Sequence, residues 1–189
     1  MSTVVLTGAV RSGKSAAAEA LALARGGDVV VAVAGWDGDG EMVRRIDAHR
    51  AVRPARWAVH EVGAVPDWVA VVEPEAVLVL DCIATLIGAI AWETVGEAEI
   101  ATGEQEALGA QRTAALVDAL LARAGDTIIV TNEAGWGVVP ATAAGRLFRD
   151  LLGRANRALV DGADAAYLVV AGRVLDLHAL PAAPEWPAT

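Results

Sequence analysis

Along the chain, short apolar runs alternate with longer stretches in which apolar positions recur every three to four residues. STVVLT (2–7), DVVVAVA (28–34), AVLVLD (76–81), DTIIVT (126–131) and DAAYLVV (164–170) are apolar on both faces, the pattern of buried parallel strands. RWAVHEV (56–62) is a weaker strand, and RVLDLH (173–178) closes the sheet. Between them the spacing predicts helices over 14–25, 40–51, 83–95, 104–124 and 142–161. The acidic, glycine-containing segment 96–106 reads as a loop or lid. Strand–helix alternation through a whole chain predicts an α/β fold, a mostly parallel sheet of about seven strands with helices on both faces. The expected catalytic domain is 1–178, followed by a proline-rich tail at 179–189 that frays or packs loosely on the surface.

Composition narrows the classes of function. A net charge of −9 argues against a general nucleic-acid binder, which needs many phosphate contacts. The chain is 55% hydrophobic, but no apolar stretch approaches the ~18 residues of a membrane span, so stable membrane insertion is not expected. The first residues lack a basic leader followed by a long apolar segment, so a secretory signal is not expected. Cys82 is the only cysteine, which excludes an internal disulfide and suits the cytoplasm. Against the acidic background, RRIDAHRAVRPAR (44–56) concentrates five arginines, either as a solvated helix face or as an anion site.

The sharpest local signal is Gly8-Ala9-Val10-Arg11-Ser12-Gly13-Lys14-Ser15, which fits the phosphate-loop pattern at every fixed position. It follows a strand and opens a helix. Glycines let the loop curl so that backbone N–H groups converge on a phosphate, and the helix N-terminus adds its positive end. Lys14 is the only lysine in the chain. An ammonium is a compact point charge that fits a narrow anion site, whereas guanidinium is a planar fork. Lys14 is therefore expected at the β and γ phosphates, with Ser15 and the strand-terminal Asp81 as ligands of Mg2+.

Two further stretches carry more specific information. One is EMVRRIDAHRAVRPARW (41–57), followed by Glu61; the other is TNEAGWGVVP (131–140), followed by RLFRDLLGRAN (146–156). With the phosphate loop, and in this order over about residues 1–175, they resemble the bifunctional adenosylcobinamide kinase/adenosylcobinamide-phosphate guanylyltransferase family. The resemblance implies a RecA-like phosphate-loop fold assembled as a homotrimer. It implies that ATP or GTP phosphorylates adenosylcobinamide, and that GMP from GTP then passes through a histidine to adenosylcobinamide phosphate. By position, the histidine that carries GMP is His49. The nucleotide contacts carry over to residues 8–15, Ala34, Gly35, Trp36, Arg50, Ala51, Val52, Arg53, Glu61 and Asp81. The sequence departs from the family pattern at Ala34, Ala84 and Ala89, where hydroxyl and amide groups are lost. Lys14, Ser15, His49 and Asp81 are untouched, so activity is expected.

The residues themselves bear on His49 and Glu133. Four positions apart on the helix predicted from residue 40, Arg45 and His49 share a face. Neighbouring cations disfavour a charged imidazole, leaving it neutral and nucleophilic, and the same arginines suit phosphate oxygens. A histidine on a solvated helix face is an equal reading of the residues alone. His60 and His178 match nothing and receive no role. Glu133, in a loop at the carboxyl end of a strand, is either the group that orients an acceptor hydroxyl or a capped carboxylate in a tight turn; Asn132 beside it can bond phosphate or substrate. Arg146, Arg149, Arg154 and Arg157 recur near helical spacing as a solvated or subunit-contact face. A kinase without a covalent step, or a non-catalytic nucleotide switch, would use the phosphate loop and leave His49 idle.

Overall fold

The computed structural model describes residues 1–34 and 54–182. The strands are β1 (Thr3–Thr7), β2 (Val29–Ala34), β3 (Ala58–Val62), β4 (Val77–Asp81), β5 (Thr127–Val130), β6 (Ala165–Val170) and β7 (Arg173–Asp176). The helices are α1 (Lys14–Arg25), α2 (Ile83–Val95), α3 (Gly103–Leu121) and α4 (Ala143–Gly162), with a 3-10 turn at Pro66–Val71. The seven strands form one sheet in the order β3-β2-β4-β5-β1-β6-β7, parallel throughout except for β7 against β6. This is the α/β architecture read from the sequence.

The sheet is covered on both faces. Ala18 and Ala22 of α1 pack with Leu6, Val31, Val79 and Ile128 on one side. On the other, α2, α3 and α4 pack with Val5, Ala32, Leu78, Leu80 and Ile129. Alternate residues of each strand thus serve opposite layers, which is why these strands are apolar at consecutive positions. Helix α2 has almost no polar face over its first two turns: Ile83, Leu86, Ile87 and Ile90 are fully buried, each contributing roughly 1.5–3 kcal/mol.

Two details depart from the sequence reading. The segment 96–106 is not a loop throughout, because α3 starts at Gly103 behind a reciprocal cap. Thr102 Oγ1 accepts from Gln105 N–H at 3.2 Å, and Gln105 Oε1 accepts from Thr102 N–H at 2.9 Å. Helix α3 also ends at Leu121, short of residue 124. Arg123 lies just beyond that end, 9% exposed, and donates to Glu73 O at 2.7 Å, Ala76 O at 3.0 Å and Asp126 O at 3.1 Å. It thereby staples the turns that lead into β4 and β5. The predicted helix 40–51 and the end of the tail lie outside the described residues, among which no helix is long and apolar enough to cross a membrane.

Asp126 secures the amino-terminal edge of the sheet. Its carboxylate accepts from Ser2 N–H at 2.8 Å and from the Arg25 guanidinium. Partial burial pushes its pKa up, but the bonds from Arg25 and Ser2, with the charges of Arg25 and the amino terminus, carry it below the ordinary value. A depressed folded-state pKa contributes stability above the unfolded-state value, and that stability is lost as pH falls through the folded-state value. Asp126→Asn should cost about 1–2 kcal/mol at neutral pH. Urea melts of both proteins should show the gap closing progressively below about pH 4.

Candidate active site

The register brings the carboxyl ends of three neighbouring strands together: Leu6, Val130 and Asp81 share one row across β1, β5 and β4. The next residues beyond β1 and β5 therefore emerge at one edge, where open parallel sheets bind their ligands. From β1 the chain enters the loop at Gly8 and turns into α1 at Gly13, whose φ of 103° is the left-handed geometry that glycine tolerates. Arg11 also has positive φ, 58°, and points outward. Ala9 and Val10 are exposed and Ser12 is buried.

Lys14 lies at the base of this loop, 7% exposed. Its ammonium donates to Gly8 O at 2.9 Å and Ala9 O at 2.7 Å. Burial pushes its pKa below the ordinary lysine value; Cys82, Asp81 and Glu133 pull it back up. The next residue, Ser15, donates from Oγ to Asp81 Oδ1 at 3.1 Å, joining the helix start to the end of β4. Strand β5 runs between β1 and β4, so the segment leaving it delivers Glu133 beside the loop: Glu133 N–H donates to Gly8 O at 3.3 Å. Glu133 Oε1 accepts from Thr7 Oγ1 at 2.6 Å and from Asn156 Nδ2 at 3.1 Å. Asn132 Nδ2 faces Cys82 Sγ at 3.6 Å. A buried ammonium, a hydroxyl–carboxylate pair and a second, braced carboxylate thus converge at the phosphate loop.

The family described as cobinamide kinase / cobinamide phosphate guanyltransferase, CobU, matches residues 4–177. The chain belongs to this family. It is 33% identical over 175 residues to the bifunctional adenosylcobalamin biosynthesis protein CobU of Escherichia coli (strain K12), covering 89% of this chain and 96% of that protein. To the bifunctional adenosylcobalamin biosynthesis protein CobP of Pseudomonas aeruginosa it is 34% identical over 183 residues, covering 94% and 98%. Among solved structures, the P4 protein from bacteriophage phi6 in complex with ADP is similar at a TM-score of 0.39 and 13% identity, over 92% of this chain and 52% of that one. At that level the likeness adds nothing to the strand order.

Of the residues read from the sequence, the structure brings together Gly8, Gly13, Lys14, Ser15, Asp81 and Glu133. It does not bring Glu61 to them. Glu61 is exposed on the edge strand β3, four strands from β1, or about 19 Å across the sheet. Ala34 ends β2 with its side chain in the core. Gly35, Trp36, His49, Arg50, Ala51, Val52 and Arg53 lie outside the described residues. Arg146, read as part of a solvated or subunit-contact face, also donates from its guanidinium to Pro140 O, Ala141 O and Glu99 O, tying two loops to the start of α4. Arg157 keeps the solvated role, paired with Asp161 one turn away. Sequence reasoning missed Thr7 and Asn156. The signal for Asn156 was available, since it interrupts the apolar stripe Leu147, Leu151, Leu152, Ala155, Leu159 of an amphipathic helix.

The loop is braced from outside by the two-residue turn between β6 and β7. Gly172 N–H donates to Ser12 O at 2.8 Å. A Cβ on Gly8, whose φ is 143°, would stand 2.3 Å from Val169 O. Gly8→Ala therefore forces either loop or strand to move. The expected cost is about 2–4 kcal/mol of stability, with nucleotide affinity at least tenfold weaker by calorimetry (about 1.4 kcal/mol).

Proposed function

We propose that this protein phosphorylates adenosylcobinamide and then guanylylates the product, and that both transfers use the phosphate loop at Lys14. The observation that carries this reading is the convergence of Lys14, Ser15, Asp81 and Glu133 at one sheet edge, in a chain of this family. In the first reaction the aminopropanol hydroxyl attacks the γ-phosphorus of ATP or GTP. The new O–P bond forms as the bond to the bridging oxygen breaks, and the nucleoside diphosphate leaves. Lys14 offsets charge on the phosphate oxygens, and Glu133 accepts the hydroxyl proton.

Ser15 and Asp81 suit a magnesium ion. Among the described residues no group of three or more acidic, cysteine or histidine side chains forms a metal cage. Mg2+ needs none, because it keeps several waters and takes its remaining ligands from one or two protein oxygens and the phosphates. Bound there, it would neutralise phosphate charge. The hydroxyl–carboxylate contact of 3.1 Å between Ser15 and Asp81 supports this pairing of ligands.

In the second reaction His49 attacks the α-phosphorus of GTP, a P–N bond forms and pyrophosphate leaves. A phosphate oxygen of adenosylcobinamide phosphate then displaces the imidazole, giving adenosylcobinamide-GDP and restoring His49. The resemblance and the arginine setting in the sequence support this step. The same reading takes the working unit as a cytoplasmic homotrimer.

Exposure to GTP labelled at the α-phosphate tests the covalent step. The expected result is an acid-labile, alkali-stable label on the peptide containing His49, absent from His49→Ala. An unlabelled protein that still phosphorylates adenosylcobinamide would leave a kinase without a histidine intermediate.

A further inference from the structure

Glu133 is held by a network that spans the fold. Asn156, 7% exposed on α4, donates from Nδ2 to Glu133 Oε1 at 3.1 Å and to Asn132 O at 2.9 Å. Its Oδ1 accepts from Thr131 Oγ1 at 2.6 Å. Those partners fix the amide orientation, because the two acceptors require the NH2 side and the hydroxyl donor takes the oxygen. Thr7, buried at the end of β1, donates to the same Oε1 at 2.6 Å. The backbone of Glu133 is tied to Gly8.

We infer that Thr7 and Asn156 are positioning residues for the phosphoryl transfer, acting through Glu133. The inference rests on the proposed role of Glu133 as proton acceptor. Rotation of a glutamate carboxylate about its last torsion is broad and roughly two-fold. Two donors on Oε1 remove that freedom and leave Oε2 as the oxygen presented to the acceptor hydroxyl. During transfer the hydroxyl proton passes to Oε2 while Oε1 keeps both donated bonds, so the carboxyl group does not reorient as its charge is lost. Thr7 belongs to the strand that becomes the phosphate loop, and Asn156 to a helix on the opposite sheet face from α1. The two bonds therefore lock the acceptor-side carboxylate to the frame that holds the phosphates.

Steady-state phosphorylation of adenosylcobinamide by ATP, with Thr7→Val, Thr7→Ser, Asn156→Asp and each of these combined with Glu133→Gln, tests the assignment. Thr7→Val removes the donor at nearly constant shape. Asn156→Asp removes the Nδ2 donor and keeps an acceptor for Thr131. Each should lower kcat about 10- to 100-fold, with KM for ATP within about threefold of the parent and Thr7→Ser within about threefold in kcat. Glu133→Gln alone should be at least as slow, and adding Thr7→Val to it should cause no further loss. Losses that multiply in the Glu133→Gln background, or Thr7→Val with parental kcat beside a slow Glu133→Gln, overturn the inference. Parental kcat for both Glu133→Gln and Thr7→Val instead sinks the underlying role of Glu133. If Asn156→Asp fails to fold, the Thr7 pair, whose melting temperatures should stay near the parent's, decides the question.

Discussion

Burying the Lys14 ammonium is the constraint around which the carboxyl edge of the sheet is arranged. A cation that leaves water needs acceptors, and two loop carbonyls supply them. For those carbonyls to turn inward, the backbone must curl through Gly8 and Gly13. For the curl to hold its shape, the β6–β7 turn must press on it from outside. Asp81, Cys82 and Glu133 favour the charged form of a lysine that burial penalises. Each of them reaches Lys14 because β4, β5 and β1 are adjacent and in register.

Among the described residues, the two buried cations illustrate how one kind of group becomes structural and another functional. Arg123, beyond the opposite edge of the sheet, spreads its fork over three backbone carbonyls of the turns leading into β4 and β5. That is a staple, since a planar guanidinium with five donors satisfies fixed acceptors well. Lys14 meets two carbonyls of a loop that itself curls around an anion site, and its other neighbours are acidic side chains. An ammonium there trades acceptors easily, which suits a group that must follow phosphate oxygens through a reaction. The polar network from Thr131 through Asn156 to Glu133 and Thr7 extends the arrangement, so the acceptor side and the phosphate side share one framework.

Much of this was legible in the sequence, for physical reasons that also mark where legibility ended. Helices α1 and α2 begin and end as predicted, the one opened by the phosphate-loop glycine and the other carried by an apolar run bounded by Gly96. The start of α3 was read to within one residue, but its cap was not, because Thr102 and Gln105 cap each other inside an acidic stretch that resembles a solvated loop. The 3-10 turn at Pro66–Val71 has too few residues to establish a period. Lys14, Ser15, Asp81 and Glu133 were readable because they sit at strand and helix ends with fixed local spacing. Thr7 and Asn156 meet Glu133 across 126 and 23 residues of chain respectively; Asn156 stands out in its apolar stripe, but local spacing does not name the partner of either. The bonds of Arg146 were hidden for a related reason: its acceptors are backbone carbonyls, which a pattern of side chains does not display.

Under the proposed function, a single phosphate loop serves two different transfers. Lys14→Met, purified and shown to keep the parental melting temperature, allows both reactions to be measured on one preparation. These are phosphorylation of adenosylcobinamide by ATP, and incorporation of GMP into the protein from GTP labelled at the α-phosphate. Both rates should fall together, each by at least about 100-fold. Either rate persisting at the parental level while the other collapses would contradict the shared site.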